Sequence, residues 1–325
     1  MSPVVKHLLE KVNQRVHSAM RPSTQTAYTR YFRIFIMFSV FINVQVEDFN
    51  TGHILAFLEF LQYNKFSPSV MLNVISAIKS RLQAYGLNID HWCHPRIKYY
   101  TKSFQHTKRF KAYLPRVIDI QMLKNIVQAC DSSPFNFVFK AVYLMAFYSF
   151  LRISNLVPHS VSTFSTLHQV CRGDIFFAPP GIHILIKWTK TLQKRNKAVV
   201  VKIPRVDNVI LCPVRAIEEL LRLTPGNADS PLFQIQLYGS WVPLTDTRLR
   251  KHFNLVLQKL NLHQSGITFH YFRKSGATLA FNANASLQSI KAQGTWSSDT
   301  VWQYIIQNQD ASGEVAATLA SIAAT

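Results

Sequence analysis

Acidic residues are scarce in this sequence: 16 Asp and Glu stand against 36 Lys and Arg in 325 residues, a formal net charge of +20. Such a field attracts polyanions, and nucleic acid is the commonest one a soluble protein meets. A basic soluble protein without a special partner would show the same balance, so charge alone does not choose between them. Cysteine is also sparse: Cys93, Cys130, Cys171 and Cys212 lie far apart and form no Cys-x-x-Cys pair, the pattern of reduced thiols in an intracellular protein. The one metal-like cluster, His91-Trp92-Cys93-His94, has no second half at zinc spacing, so neither a metal nor any other cofactor is expected. No apolar run is long and clean enough for a membrane span. The greasiest stretch, Pro134 to Leu151, contains Asn136 and Lys140 and leads into Arg152, which suits a buried core helix. A secretory pattern is missing too. Residues 4–19 instead place Val5, Leu8, Leu9, Val12 and Val16 on one helical face, interrupted by Lys6, Glu10, Lys11 and Arg15. Neither an internal repeat nor a low-complexity tract is visible, and the chain reads as soluble, with no membrane partner.

What is present is enough for two domains of ordinary size, and with 48% hydrophobic residues each can bury a core without disulfides or metals. Residues 23–90 read as consecutive helices. Ser23 or Thr24 can cap the first, with Tyr28, Phe32, Phe35 and Phe38 at helical spacing; Asn50 or Thr51 opens a second; Ser67-Pro68-Ser69 opens a third that stops at Gly86. Between Asp90 and Asp119 come Arg96, Lys98, Lys102, Lys108, Arg109, Lys111 and Arg116 with no acid among them. A solvated linker would mix signs, so this stretch is expected to contact phosphates, with Arg96, Lys98, Lys102, Lys108, Arg109 and Lys111 as DNA-binding candidates. The domain boundary is placed near residue 112. The first 112 residues hold 15 basic and five acidic side chains and the remainder 21 and 11, so both parts can face one polyanion. Beyond the boundary, Asp119 can cap a helix to about Cys130, and a buried helix is expected over 135–150. Strands are expected over Ile182–Lys187 and Ala198–Ile203, joined by a basic turn around Thr191–Asn196 that adds Lys194 and Arg195 to the DNA-binding candidates. Helices follow at 213–222, 246–260, 271–283 and 286–293.

Four short pieces carry the chemistry. They are Phe150-Leu151-Arg152-Ile153-Ser154-Asn155-Leu156, Trp188-Thr189-Lys190-Thr191, Phe269-His270-Tyr271-Phe272-Arg273, and Gly294-Thr295-Trp296 followed by Tyr304. Singly each has an ordinary explanation: a capping Arg, a solvated hairpin Lys, a chance His-x-x-Arg, a packed Tyr. In this order and spacing, however, they resemble the tyrosine recombinase (phage integrase-like) family, with its R-x-S-E-L, hairpin Lys, H-x-x-R, G-H/W and Tyr elements. The phrases Leu-Arg-Ile-Ser-Asn-Leu, Ile-Lys-Trp-Thr-Lys-Thr, Leu-Cys-Pro-Val-Arg-Ala and Gly-Ala-Thr look most like recombinases of eukaryotic mobile elements, DIRS-like and Crypton-like. The resemblance covers roughly residues 20–308. It implies a mainly α chain with a small β-hairpin or sheet: a helical core-binding domain with a basic linker (1–112), an α+β catalytic domain (113–308), and a C-terminal tail helix (309–325). The two domains would close as a clamp around DNA.

Elementary chemistry agrees with the resemblance. Breaking a phosphodiester without a metal requires fixed donors around the non-bridging oxygens. Arg152 and Arg273 are always charged and can fork onto phosphate. Trp296 offers one indole N–H, and His270 can give or take a proton near neutral pH. Tyr304, eight residues past Trp296, would be the nucleophile, its phenolate favoured by the neighbouring cations. Lys190 can protonate the departing 5′-oxygen. Lys187 is the rival for that role, but period-two alternation puts it on the opposite face from Lys190. The sequence departs from the family at Asn155, where an acid is common, and at Trp296, where His is commoner. The resemblance further implies site-specific recombination or integration through a 3′-phosphotyrosyl link, with double-stranded DNA as partner and a homotetramer on two duplexes, the tail helix being exchanged between subunits. The expected location is the nucleus in a eukaryotic host and otherwise the cytoplasm. Type IB topoisomerase-like strand passage, or a catalytically silent DNA-binding derivative, would use the same residues.

Overall fold

The computed structural model describes residues 4–5, 7–8, 11–12, 22–106, 117–132, 135–189 and 198–305. Two compact units divide the chain, residues 1–113 and 114–325.

The first unit is helical. Helix α1 (Pro22–Phe41) is followed by α2 (Thr51–Tyr63), α3 (Pro68–Ala84), the short α4 (Asp90–Cys93) and α5 (Pro95–His106). Local chemistry sets the helix starts. The Asn50 side chain accepts from the His53 N–H, and Ser67 accepts from the Val70 N–H one residue before a helix-opening Pro68. Helix α3 ends where Gly86 takes φ 73°, a conformation that costs glycine nothing. Helix α1 packs on α3, and α5 packs on both α2 and α3. The core they share is aromatic: Phe35 meets Phe49 at 4.8 Å and Trp92 at 5.3 Å between ring centroids, both edge-on.

Helices α4 and α5 fall within the stretch read from sequence as a basic linker. Trp92 and Ile97 are buried in this core, which ties the beginning of that stretch down. Arg96, Lys98 and Lys102 of that stretch therefore stand on a folded helix, exposed around the face turned away from Ile97. Lys108, Arg109 and Lys111 lie outside the described residues.

The second unit is built around α7 (Asn136–Ser149), which follows α6 (Ile120–Gln128, capped by the Asp119 carboxylate on the Met122 N–H) and leads into the one-turn α8 (Ile153–Leu156). Helix α7 is buried on nearly all sides, which is why its sequence reads as one long apolar run. A three-stranded antiparallel sheet follows, β1 (Ile175–Ala178), β2 (Gly181–Ile186) and β3 (Val199–Pro204), in that order. Ile184 sits opposite both Ile175 and Val201. Ile182, Ile184 and Ile186 alternate inward into the core. Next come α9 (Pro213–Leu223), a hairpin of β4 (Gln234–Leu237) and β5 (Ser240–Pro243), α10 (Asp246–Lys259), α11 (His270–Asn282) and α12 (Leu287–Gln293). Strands β1, β4 and β5 were not foreseen from sequence. Each has only four residues and little alternation to read.

Helix α11 lies close against α7. A Cβ on Gly276 would stand 2.4 Å from the Phe147 carbonyl oxygen, so only glycine fits that crossing. Among the described residues no helix is long and apolar enough to cross a membrane. The architecture is the mainly helical, α+β one expected from the sequence.

Candidate phosphate-binding and nucleophile site

Four of the six sequence-predicted catalytic residues converge at one end of α11. His270 is the first residue of that helix, and Arg273 lies one turn later on the same side. The Arg273 side chain is 1% exposed. Its Nη1 donates to the Phe150 carbonyl, and its Nη2 donates to the Gly294 carbonyl at 2.9 Å. Two bends of the chain supply these acceptors. Phe150 ends α7 with φ 52°, and Thr295, next to Gly294, has φ 56°. Left-handed backbone is uncommon for a bulky or β-branched residue and costs of the order of 1–3 kcal/mol. The surrounding structure thus spends stability to present two carbonyls to one guanidinium.

The Arg273 guanidinium carbon lies 3.8 Å from the centre of the Trp296 ring and 5.1 Å from that of Tyr304. Tyr304 meets Trp296 at 5.0 Å and His270 at 5.1 Å, both edge-on. It follows the last turn of 3₁₀ helix, Asp299–Gln303, and its backbone carbonyl is 3.2 Å from the Thr278 hydroxyl. Val301 and Ile305 are buried on either side, in a small cluster with Phe150, Ala277, Ile290 and Trp296. Trp296 folds back over its own chain so closely that a Cβ on Gly294 would stand 1.8 Å from its Cζ3. Only glycine allows that fold, a requirement that sequence spacing alone did not reveal.

Arg152 opens α8 directly after the Phe150 bend. Its positive charge is felt at both Arg273 and His270. The His270 pKa is lowered from the ordinary histidine value, by desolvation first and then by Arg273, Arg152, Lys274 and Arg250. The Arg273 pKa is also lowered, by burial first and then by Arg152, while Tyr304 opposes the shift. A guanidinium starts so high that it stays charged at neutral pH. Two donors at this site, Arg273 Nε and Trp296 Nε1, are buried and find no acceptor among the described residues. From sequence, Arg273 was expected to be able to fork onto phosphate. Its terminal nitrogens are partly committed to backbone, which fixes its plane and leaves Nε and the remaining N–H bonds for a ligand.

Lys190, with Lys194 and Arg195 of the same hairpin, lies outside the described residues. The structure does place its rival. Lys187 forms an ion pair with Asp174 at 2.8 Å, and the Asp174 carboxylate also accepts from the Cys171 N–H. Asn155 is 2% exposed, and its side-chain amide donates to the Trp188 carbonyl at 2.7 Å. A cleft of about 520 Å³ between β3 and α12 adjoins Trp296, with Lys202 and Lys291 on its walls. Lys291 is paired with Asp299 at 3.1 Å. No group of three or more His, Cys, Asp and Glu able to hold a metal occurs among the described residues.

No protein-family model matches this sequence, and no curated protein does. Solved structures do. The XerH site-specific recombinase bound to a palindromic difH substrate superposes with a TM-score of 0.63 at 16% identity, over 90% of this chain and 78% of that one. The Tn1549 transposon integrase in complex with transposon right end DNA gives 0.63 at 11% identity, over 94% and 96%. A lambda integrase dimer bound to a COC′ core site gives 0.57 at 15%, over 94% and 81%. At such identities the likeness speaks for architecture alone, and by that measure this chain has the fold of the tyrosine recombinases.

Proposed function

We propose that this protein is a site-specific DNA recombinase that cuts and rejoins duplex DNA through a 3′-phosphotyrosyl intermediate. The observation that carries the reading is the gathering of His270, Trp296 and Tyr304 around the buried Arg273, with the Arg273 Nε and Trp296 Nε1 donors finding no acceptor among the described residues. Buried donors of that kind cost stability unless something satisfies them. Phosphate oxygens carry the complementary charge and lone pairs. Tyr304 Oη attacks phosphorus, the P–O5′ bond breaks, and the phosphate is left joined to tyrosine on its 3′ side. Arg152, Arg273 and Trp296 stabilise the charge on the non-bridging oxygens. His270, its pKa lowered by desolvation first and then by its cationic neighbours, suits a proton acceptor for the tyrosine. Lys190 protonates the departing 5′-oxygen, a choice supported by the engagement of Lys187 with Asp174. The link conserves the energy of the phosphodiester, so a free 5′-hydroxyl can reverse the step on the same or another strand.

The first unit takes the core-binding role, with Arg96, Lys98, Lys102, Lys108, Arg109 and Lys111 along the phosphates and Lys194 and Arg195 adding contacts from the hairpin. The setting is a mobile element of the DIRS-like or Crypton-like kind. Its product is strand exchange by a tetramer on two duplexes, in the nucleus of a eukaryotic host or otherwise in the cytoplasm. The reading is tested by incubating the protein with a randomised pool of nicked duplexes in excess EDTA and collecting protein-linked DNA. An adduct forms with the wild-type protein and not with Tyr304→Phe, while duplex binding is kept. An adduct from Tyr304→Phe, or a strict need for Mg²⁺, overturns the mechanism. Plasmid relaxation without any recombinant product assigns the chain to strand passage instead.

A further inference from the structure

The turn that carries Arg152 is stitched to two other segments by neighbouring residues. The Ser154 carbonyl accepts from the Gln169 amide at 2.9 Å, and the Asn155 carbonyl accepts from the Val170 N–H at 2.8 Å. The Asn155 side chain makes the third stitch, donating to the Trp188 carbonyl at 2.7 Å. Its other neighbour, the His168 carbonyl, is at 3.5 Å, too long to compete. The chain leaving β2 is thereby held at three successive residues. Lys187 is paired with Asp174, Trp188 is gripped by Asn155 and lies 4.5 Å from the His168 ring, and Thr189 is fully buried. The next residue in sequence is Lys190.

We infer that Asn155 is a positioning residue: its amide N–H fixes the exit of β2 against the Arg152 turn, two residues ahead of Lys190 in sequence, and protonation of the leaving group depends on that hold. This rests on the recombinase reading and extends it. The chemistry at this position turns on donating. The Trp188 carbonyl can only accept, and an ionised carboxylate can only accept, so an acid here would set two acceptors against each other in a buried place. Asparagine at position 155 is thus a requirement of this chain's own packing, and restoring the acid of the related sequence pattern harms it.

The test measures cleavage on two substrates, normal DNA and DNA whose bridging 5′-oxygen is replaced by sulfur, a leaving group that needs little protonation. Lys190→Ala serves as the reference. Asn155→Asp is expected to slow cleavage of normal DNA by roughly 10- to 100-fold, with duplex binding unchanged, and to recover to within about threefold of wild type on the sulfur substrate. Asn155→Ala is expected to show the same pattern and is read in its place should the aspartate variant not fold. Wild-type rates from Asn155→Asp on normal DNA overturn the inference. So does a loss that sulfur fails to rescue while Lys190→Ala is rescued, because the defect then lies elsewhere than in leaving-group protonation. If Lys190→Ala itself is not rescued, the assignment of the proton donor fails, and the inference falls with it.

Discussion

The main core of the second unit and the small cluster around Tyr304 lie side by side in one domain and follow opposite rules. In the main core, Tyr143, Phe253, Phe269 and Phe272 pack ring on ring, and the buried Tyr143 hydroxyl is matched by His252 Nδ1 at 2.7 Å. Polar groups there are paired, and buried apolar area stabilises the fold. The small cluster instead buries a guanidinium among aromatic rings, leaves two donors without acceptors among the described residues, and is flanked by two left-handed bends at Phe150 and Thr295. A molecule selected for stability alone would repack such a region. Stability is being given up there for an arrangement that suits a phosphate.

The largest contrast comes from one substitution in each region. Arg273→Met should lower the rate of covalent-adduct formation by at least about 10²- to 10³-fold, the worth of a preorganised donor. Its effect on stability should stay within about 2 kcal/mol, because the desolvation cost of a buried charge is removed along with its bonds to two carbonyls. Phe253→Ala should do the reverse, costing about 3–5 kcal/mol in denaturant unfolding while folded molecules cleave at near the normal rate. Equal behaviour of the two variants in both measurements would erase the distinction between the regions.

A finer contrast concerns His270 and His252. Both have pKa values below the ordinary 6.5, and that of His252 is pushed down to about 4 by burial and Lys259. His252 packs in the main core, stacked on Phe139 at 3.5 Å, whereas His270 faces Tyr304. A base with a lowered pKa is already neutral at pH 7 and loses function only as it gains a proton. The acid limb of the rate per unit of DNA-bound protein should therefore be centred below the ordinary histidine value of about 6.5. His270→Gln should be slower and lack that acid limb. An acid limb centred above pH 7, or one that survives His270→Gln, would assign the proton acceptor to another group.

Much of this layout was legible in the sequence because single residues announce it. Asn50, Ser67 and Asp119 mark helix starts by their capping chemistry, and the inward Ile182, Ile184 and Ile186 mark a strand by alternation. The meeting of His270, Arg273, Trp296 and Tyr304 was implied by the family resemblance that their order and spacing carry. What was not legible depends on pairs brought together across the fold. The hold of the Phe150 and Gly294 carbonyls on Arg273 spans 123 and 21 residues, and the grip of Asn155 on Trp188 spans 33. Those contacts involve backbone carbonyls, which every residue carries and no side-chain pattern marks. The folding of Arg96, Lys98 and Lys102 onto a helix was hidden for another reason: the charges dominated the reading, while the few apolar anchors, Trp92 and Ile97, were easy to pass over.

The central claim, that Tyr304 is the atom-bearing nucleophile of a metal-free DNA breakage reaction, is most directly tested by mapping the covalent link. Protein–DNA adduct formed in EDTA is digested with nuclease and protease, and the nucleotide-bearing peptide is sequenced by mass spectrometry. The account predicts one modified residue, Tyr304, carrying the 3′-phosphate of the broken strand. A nucleotide on any other side chain, or a link to the 5′-phosphate, would contradict it.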